Sequence, residues 1–282
     1  MERGRPRLGE YIDLHVHTHY SDGSMSPSEI IHYARSRHVG TIAITDHDTI
    51  AGVREGMEEG GRCGVRVIPG IELSADYEEE MHILGYFIDI NSEHLIRYME
   101  EIRKHRTQET IRLLRTLKKL GMPVPYEELL NSKGVIDINS IIHALIKLGY
   151  AKDRRDAVGS YLGQGRPAYI KTYKWLPADC INLIKAAGGI AVLAHPVRLN
   201  KSMEELKPVL AELIRYGLDG IECYHSEHTD DWAAYCLRLA KENGLRITGG
   251  SDFHGSHRPG IDLAHGKLRA GMLAWERAEE SR

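Results

Sequence analysis

His15 and His17 stand two residues apart in the stretch Tyr11-Ile-Asp-Leu-His-Val-His-Thr-His-Tyr-Ser-Asp22. On a β-strand, residues i and i+2 face the same side, so these imidazoles project together as two ligands of one ion would. Asp22 returns from the loop beyond the strand. Imidazole with carboxylate is a mixed nitrogen and oxygen donor set, suited to Zn, Mn or Fe. Further along, His47, Glu72, His82, His195, Asp252 and His254 each fall at the end of a strand-like segment, completing a set of six imidazoles and three carboxylates. One such histidine is usually a hydrogen-bonded bystander, but the whole set shares one structural position. So many donors exceed what one tetrahedral ion takes, which implies two or three divalent ions in contact.

The elements that must position these residues are legible in the pattern. Ser26-Pro-Ser-Glu29 reads as a helix start, with Ser26 as N-cap, Pro27 in the first turn and Glu29 closing a capping box. Thr41–Thr45 is a buried strand that stops at Asp46-His47-Asp48. A helix to about Gly61 follows, then a strand over 65–68, a turn at Pro69-Gly70, and Glu72 just beyond it. Met81–Phe87 is strand-like and carries His82. After a long interruption the rhythm resumes with a helix over 178–187 and a strand over 189–194 ending at His195. Helices at about 203–216 and 230–243 lead to strands over 219–223 and 245–248, and Asp252 and His254 follow the last. Alternation of this kind predicts an α/β domain, a parallel sheet or barrel whose strand ends share one face. Residues 92–170 carry no strand. They read as a helical insertion over or beside the main domain, which is then 1–91 with 171–282. Within it, helices are expected at about 92–121, 126–131, 139–148 and 153–162.

Bulk properties narrow the partners. The chain has 282 residues, 42% hydrophobic content and a net charge of −3, so no broad electrostatic grip on nucleic acid or an anionic membrane is expected. A local basic pocket stays open. The four cysteines form no Cys-x-x-Cys pair. No apolar run approaches the ~18 residues that span a bilayer. The expectation is a cytoplasmic protein with reduced thiols.

Taken in order, Asp-Leu-His15-Val-His17-Thr, Ser21-Asp22-Gly, Thr-Asp46-His47-Asp, Gly-Ile-Glu72, His82-Ile-Leu-Gly-Tyr, Ala-His195-Pro and Gly-Ser-Asp252-Phe-His254 resemble the successive motifs of the PHP (polymerase and histidinol phosphatase) phosphoesterase family. The resemblance spans nearly the whole chain. It is nearest to the branch of 3',5'-nucleoside bisphosphate phosphatases and 5'-3' exoribonucleases, which has a helical insertion at this place. It implies a distorted (β/α)7 TIM-like barrel, a trinuclear centre of Mn, Fe or Zn, and hydrolysis of a phosphomonoester or phosphodiester in a small phosphorylated nucleotide or short oligonucleotide. His195 and Asp252 would act in catalysis as well as in ligation. Arg166, in Gly163-Gln-Gly-Arg-Pro167, matches a basic position of the family, and His228 matches a histidine near substrate, with His225 beside it.

One stretch departs from the pattern. Where the branch has Gly-Arg-Pro-His, whose arginine contacts phosphate, this chain has Asp137-Ile138-Asn139-Ser140. A non-catalytic metal- or nucleotide-binding module would fit that loss. Histidinol-phosphate phosphatase is a further reading within the fold. Asp46-His-Asp48-Thr49 also looks like an Asp-x-Asp-x-Thr phosphotransfer motif. Asp13 and Asp46 are open to two roles, orienting ligand imidazoles or accepting backbone N–H bonds.

Overall fold

The computed structural model describes residues 11–125, 129, 138–199, 201–265 and 268–269. Seven strands form one sheet in sequence order: β1 (Tyr11–Val16), β2 (Val39–Ile44), β3 (Arg66–Ala75), β4 (Met81–Tyr86), β5 (Ile190–Leu193), β6 (Gly220–His225) and β7 (Arg246–Gly250). The sheet curls until the chain after β7 meets β1. There His17 N donates to Phe253 O at 2.9 Å and Asp252 N to His15 O at 2.9 Å. The result is a nearly closed, distorted (β/α)7 barrel, as the motif pattern implied.

The helices form where local chemistry favours them. α1 (Pro27–Ser36) carries the expected capping box, Ser26 N donating to Glu29 Oε2 at 2.7 Å and Glu29 N to Ser26 Oγ at 3.2 Å. Its stripe of Ile30, Ile31 and Ala34 packs with Val16, Ile42 and Ile44 of the sheet and with Val53 of α2 (Val53–Cys63). A second buried cluster joins Ile12, Leu14, Ala43, Ile68, Leu84, Tyr86 and Val192 from β1 to β5.

Two expectations about the strands need correction. The turn predicted at Pro69-Gly70 does not exist, because β3 runs straight through it to Ala75 and contains Glu72. Residues up to Pro69 pair in parallel with β2, and from Gly70 the strand pairs with β4. A Cβ on Gly70 would lie 2.9 Å from Ile44 O and 3.0 Å from Gly85 O, so glycine here serves close strand approach and not a reversal. The sheet is also not all parallel. β4 runs antiparallel to both β3 and β5, so His82, at its start, reaches the rim where the other strands end.

The chain forms two compact units, Met1–Ile96 with Trp175–Arg282, and Arg97–Lys174. The first also holds α6 (Pro177–Ala186), α7 (Met203–Arg215) and α8 (Asp230–Asn243); the second holds most of α3 (Glu93–Lys119), with α4 (Ile138–Lys147) and the short α5 (Arg154–Ala157), which continues as a π-helical turn over Val158–Leu162. It has its own core of Leu113, Leu117, Met122, Ile141, Ile142, Leu145 and Leu162. The helix expected at 126–131 and the departure at Asp137 lie outside the described residues, save Leu129.

Closure against β1 leaves no room beside His15. A Cβ on Gly250 would stand 2.3 Å from His15 Cβ and 2.4 Å from His15 N. Gly250→Ala is therefore expected to cost about 3 kcal/mol or more by overpacking, lowering the melting temperature by roughly 6–12 °C. Differential scanning calorimetry checks this. An unchanged transition would mean that the chain after β7 is not held against β1.

Candidate metal centre

Six strands deliver the predicted side chains to one rim. β1 ends with His15 and His17, Asp22 lies in the following loop, and His47 follows β2. Glu72 comes from within β3, His82 from the start of β4 and His195 from the end of β5, while Asp252 and His254 follow β7. Glu72 sits at the middle, fully buried. Its Oε1 is 3.0 Å from His82 Nδ1, 3.0 Å from His195 Nε2 and 3.3 Å from His15 Nε2. Its Oε2 is 3.2 Å from His17 Nε2 and 3.1 Å from His47 Nδ1. Asp252 Oδ1 lies 3.0 Å from His17 Nε2 and 3.5 Å from His15 Nε2, and Asp22 Oδ1 lies 3.1 Å from His254 Nε2. All nine residues singled out from the sequence come together.

Only part of this proximity is hydrogen bonding: Glu72 Oε1 bonds with His82 Nδ1 and His195 Nε2, each at 3.0 Å. His15 Nε2, His17 Nε2, His47 Nδ1, His254 Nε2 and Glu72 Oε2 are buried and have no hydrogen-bond partner. Buried polar atoms are almost always satisfied, so donors this close yet misaligned point at a shared space that a cation would fill. Several overlapping groups have ligand atoms close enough for one ion each, among them His15, His17, Glu72 and Asp252; His17, Asp22, His47 and His254; and His47, Glu72 and His82. Imidazole nitrogen and carboxylate oxygen suit divalent metals. The backbone is strained at two of these residues, His195 (φ 22°) and Asp252 (φ 58°), both in the left-handed region without being glycine.

Charge is divided unevenly when no metal balances it. Burial would lower His17, but the close Asp252 and Glu72 carboxylates outweigh it and hold the ring up to about 10. His15 is likewise held well above its ordinary value, by Glu72 and Glu222 against burial. Burial dominates at His47 and His195, which fall to about 3 and about 4. A metal therefore has to displace a proton from His17 at neutral pH.

Several participants escaped the sequence reading. Glu222, on β6 and fully buried, accepts from His15 Nδ1 at 3.0 Å through Oε1 and from His195 N at 2.7 Å through Oε2. It fixes the His15 tautomer with Nε2 turned to the cluster. Although burial opposes it, the neighbouring His15 lowers Glu222 to about 2. Only its place in a strand parallel to β5 and β7 could have signalled it. Arg198 Nη2 donates to Asp252 Oδ2 at 2.7 Å and to Glu227 Oε1 at 2.6 Å, and Arg258 Nη1 also donates to Asp252 Oδ2.

Asp13 and Asp46 do not orient imidazoles. Asp13 accepts from Ser251 N, Ser251 Oγ and Ala264 N, clipping the end of the barrel. Asp46 accepts from Thr18 N, Thr18 Oγ1 and Ser21 Oγ, leaving it no freedom to act as a nucleophile. Of the expected substrate residues, His225 sits at the cluster, its buried, unpartnered Nε2 at 3.6 Å from Asp252 Oδ2. The His228 ring is 5.5 Å from that of His225. Its Nδ1 donates to Cys223 O at 3.0 Å, and its Nε2 is buried without a partner. Arg166 is exposed and belongs to the second unit.

The sequence profile of the PHP domain matches residues 13–242. The chain belongs to the PHP family. It is 33% identical over 248 residues to a 5'-3' exoribonuclease of Haemophilus influenzae, covering 86% of this chain and 89% of that one. It is 30% identical over 260 residues to a 3',5'-nucleoside bisphosphate phosphatase of Chromobacterium violaceum, covering 90% of each. Two solved structures share 29% identity with it. An amidohydrolase from Chromobacterium violaceum with bound sulfate gives a TM-score of 0.80 over 96% of both chains. A predicted metal-dependent phosphoesterase from Bifidobacterium adolescentis gives 0.79 over 95% of both. This PHP protein is a metal-dependent phosphoesterase, and divalent metals fit its cluster. No helix among the described residues is long and apolar enough to cross a membrane.

Glu222→Gln should keep the fold and weaken metal affinity about 10–100-fold, as loss of a carboxylate behind a ligand histidine does. Competition with a chromophoric chelator measures it. In the unsubstituted protein, affinity in the same assay should rise with pH through neutrality. Equal affinity for both proteins would reduce Glu222 to a packing role.

Proposed function

We propose that this chain removes phosphate from a nucleotide that carries a second phosphate, with 3',5'-nucleoside bisphosphates as the substrate class. The observation that carries the reading is the convergence of unpartnered imidazole nitrogens around Glu72. Likeness over most of the chain to a bisphosphate phosphatase supports the substrate. His15, His17, Asp22, His47, Glu72, His82, His195, Asp252 and His254 would hold two or three Mn, Fe or Zn ions. When bound, these supply a water of lowered pKa and positive charge opposite the phosphoryl oxygens.

The remaining chemistry belongs to the chain's own residues. Glu72 presents one oxygen to each side of the cluster, Oε1 toward His15 and Oε2 toward His47, and would hold ions on both sides. Asp252 does the same on a smaller scale, Oδ1 facing His17 and Oδ2 facing two guanidiniums. Arg198 is tied down by Asp252, Glu227 and Glu80. Arg258, about a third exposed, is the freer of the two to donate to a phosphate oxygen. It would stand in for the arginine missing at 137–140. His228 holds its Nδ1 proton on the Cys223 carbonyl, which leaves Nε2 to exchange a proton with the leaving oxygen. His225, at the cluster with its buried Nε2 unpartnered, completes the proposed substrate set of the barrel. Residues 1–91 and 171–282 form the phosphoesterase barrel in this reading, and 92–170 the insertion.

Phosphate release from 3',5'-bisphosphoadenosine with Mn2+ present tests the proposal, with a 5'-phosphorylated RNA oligomer in parallel. Fast release from the bisphosphate is expected, abolished in His17→Ala. Arg258→Ala should lower kcat/KM roughly 10–100-fold, the worth of one charge-assisted hydrogen bond. Turnover of the oligomer alone, or undiminished turnover in His17→Ala, would contradict it.

A further inference from the structure

The second half of α3 differs electrostatically from the first. Earlier in the helix, cations have acidic company, Arg106 Nη1 lying 3.7 Å from Glu109 Oε2. Thr110–Lys119 contains Arg112, Arg115, Lys118 and Lys119 and no carboxylate. Arg112, Arg115 and Lys119 are spaced i, i+3, i+7, which places them on one face over about 10 Å of helix. Favourable interaction with the helix dipole accounts for cations in the last turn only, and Arg112 and Arg115 lie before it.

That face lines a cleft of roughly 550 Å³ in the helical unit, whose other walls are Thr116, Tyr169, Ile170 and Lys171. Among the described residues, no acidic side chain lines it. Among them too, Arg112, Arg115 and Lys119 make no ion pair, although the chain carries more carboxylates than cations overall. Tyr169 is 42% exposed, so a face of its ring is open to a ligand. It is not on a loose loop. Arg166 N donates to Gly163 O at 2.9 Å, Ala168 N to Tyr161 O at 2.9 Å and Tyr169 N to Arg166 O at 3.0 Å.

We infer that this cleft binds single-stranded RNA, its cations following the phosphates and Tyr169 stacking on a base. Unpaired cations in a row beside an exposed aromatic ring on a hydrogen-bonded turn are the two components of sequence-tolerant single-strand binding. A duplex would leave Tyr169 without a base face to stack on, and a lone phosphate would not use a row of cations. The cleft is built from residues of the helical unit alone and does not depend on which ester the barrel hydrolyses.

Fluorescence anisotropy of an end-labelled, short single-stranded RNA against the full chain in EDTA tests binding without turnover. The unsubstituted protein should bind with an affinity that falls steeply between about 50 and 200 mM salt. Arg112→Glu with Arg115→Glu should weaken binding at least tenfold and make the log–log salt slope shallower by about 1.4. Tyr169→Ala should weaken it about 5–100-fold with the slope unchanged. Phosphate release from a small nucleotide should be the same in these variants, showing intact folding. Equal affinity in the double variant, or competition by a mononucleotide as effective as by the oligomer, would overturn the inference.

Discussion

A buried carboxylate ringed by imidazoles is the constraint on which this molecule depends. Glu72 has no solvent access, and five histidine rings approach its two oxygens. A carboxylate out of water must be neutralised, and so many nitrogen lone pairs cannot all be satisfied by one another. Without metal, the site resolves the conflict with protons, holding His17 charged at about 10 while burial strips His47 and His195 to about 3 and about 4. Divalent ions resolve it more completely, because each accepts several lone pairs and answers the carboxylate charge. The unpartnered nitrogens are thus the imprint of the cofactor on the protein.

The barrel exists in a form that makes this convergence unavoidable. Six strands end at the rim, and β4, by running backwards, brings its first residues there too. Gly70 lets β3 change partners while continuing to Glu72, and Gly250 lets the chain after β7 lie against His15. Asp13, tied to Ser251 and Ala264, holds that closure from the far side of the chain. Packing of α1 and α2 against β1 and β2 supplies the apolar burial that offsets these polar concentrations.

Much of this was legible in the residues. The capping box at Ser26, the strand–helix rhythm and the nine clustered donors all follow from short-range pattern, and all nine donors gather in the structure. What escaped depends on which strands become neighbours. Glu222 looks like any strand residue until β6 is seen beside β5, and Arg198 and Arg258 acquire meaning only where both reach Asp252. Pro69-Gly70 carries a turn signal, yet the sheet overrides it. Asp13 and Asp46 stand beside ligands in sequence but turn to backbone amides and hydroxyls. The basic face of α3 is diluted in a net charge of −3 and emerges only when helix periodicity aligns it.

Anomalous diffraction from crystals of the Mn2+- or Zn2+-loaded protein addresses the central claim most directly. The account predicts two or three peaks around Glu72, each at about 2.0–2.3 Å from imidazole nitrogens of the nine-residue set. His15 Nε2, His17 Nε2, His47 Nδ1 and His254 Nε2 should be among the ligating atoms. Under saturating metal, a cluster that stays free of ions, its side chains hydrogen-bonded only to one another, would contradict it.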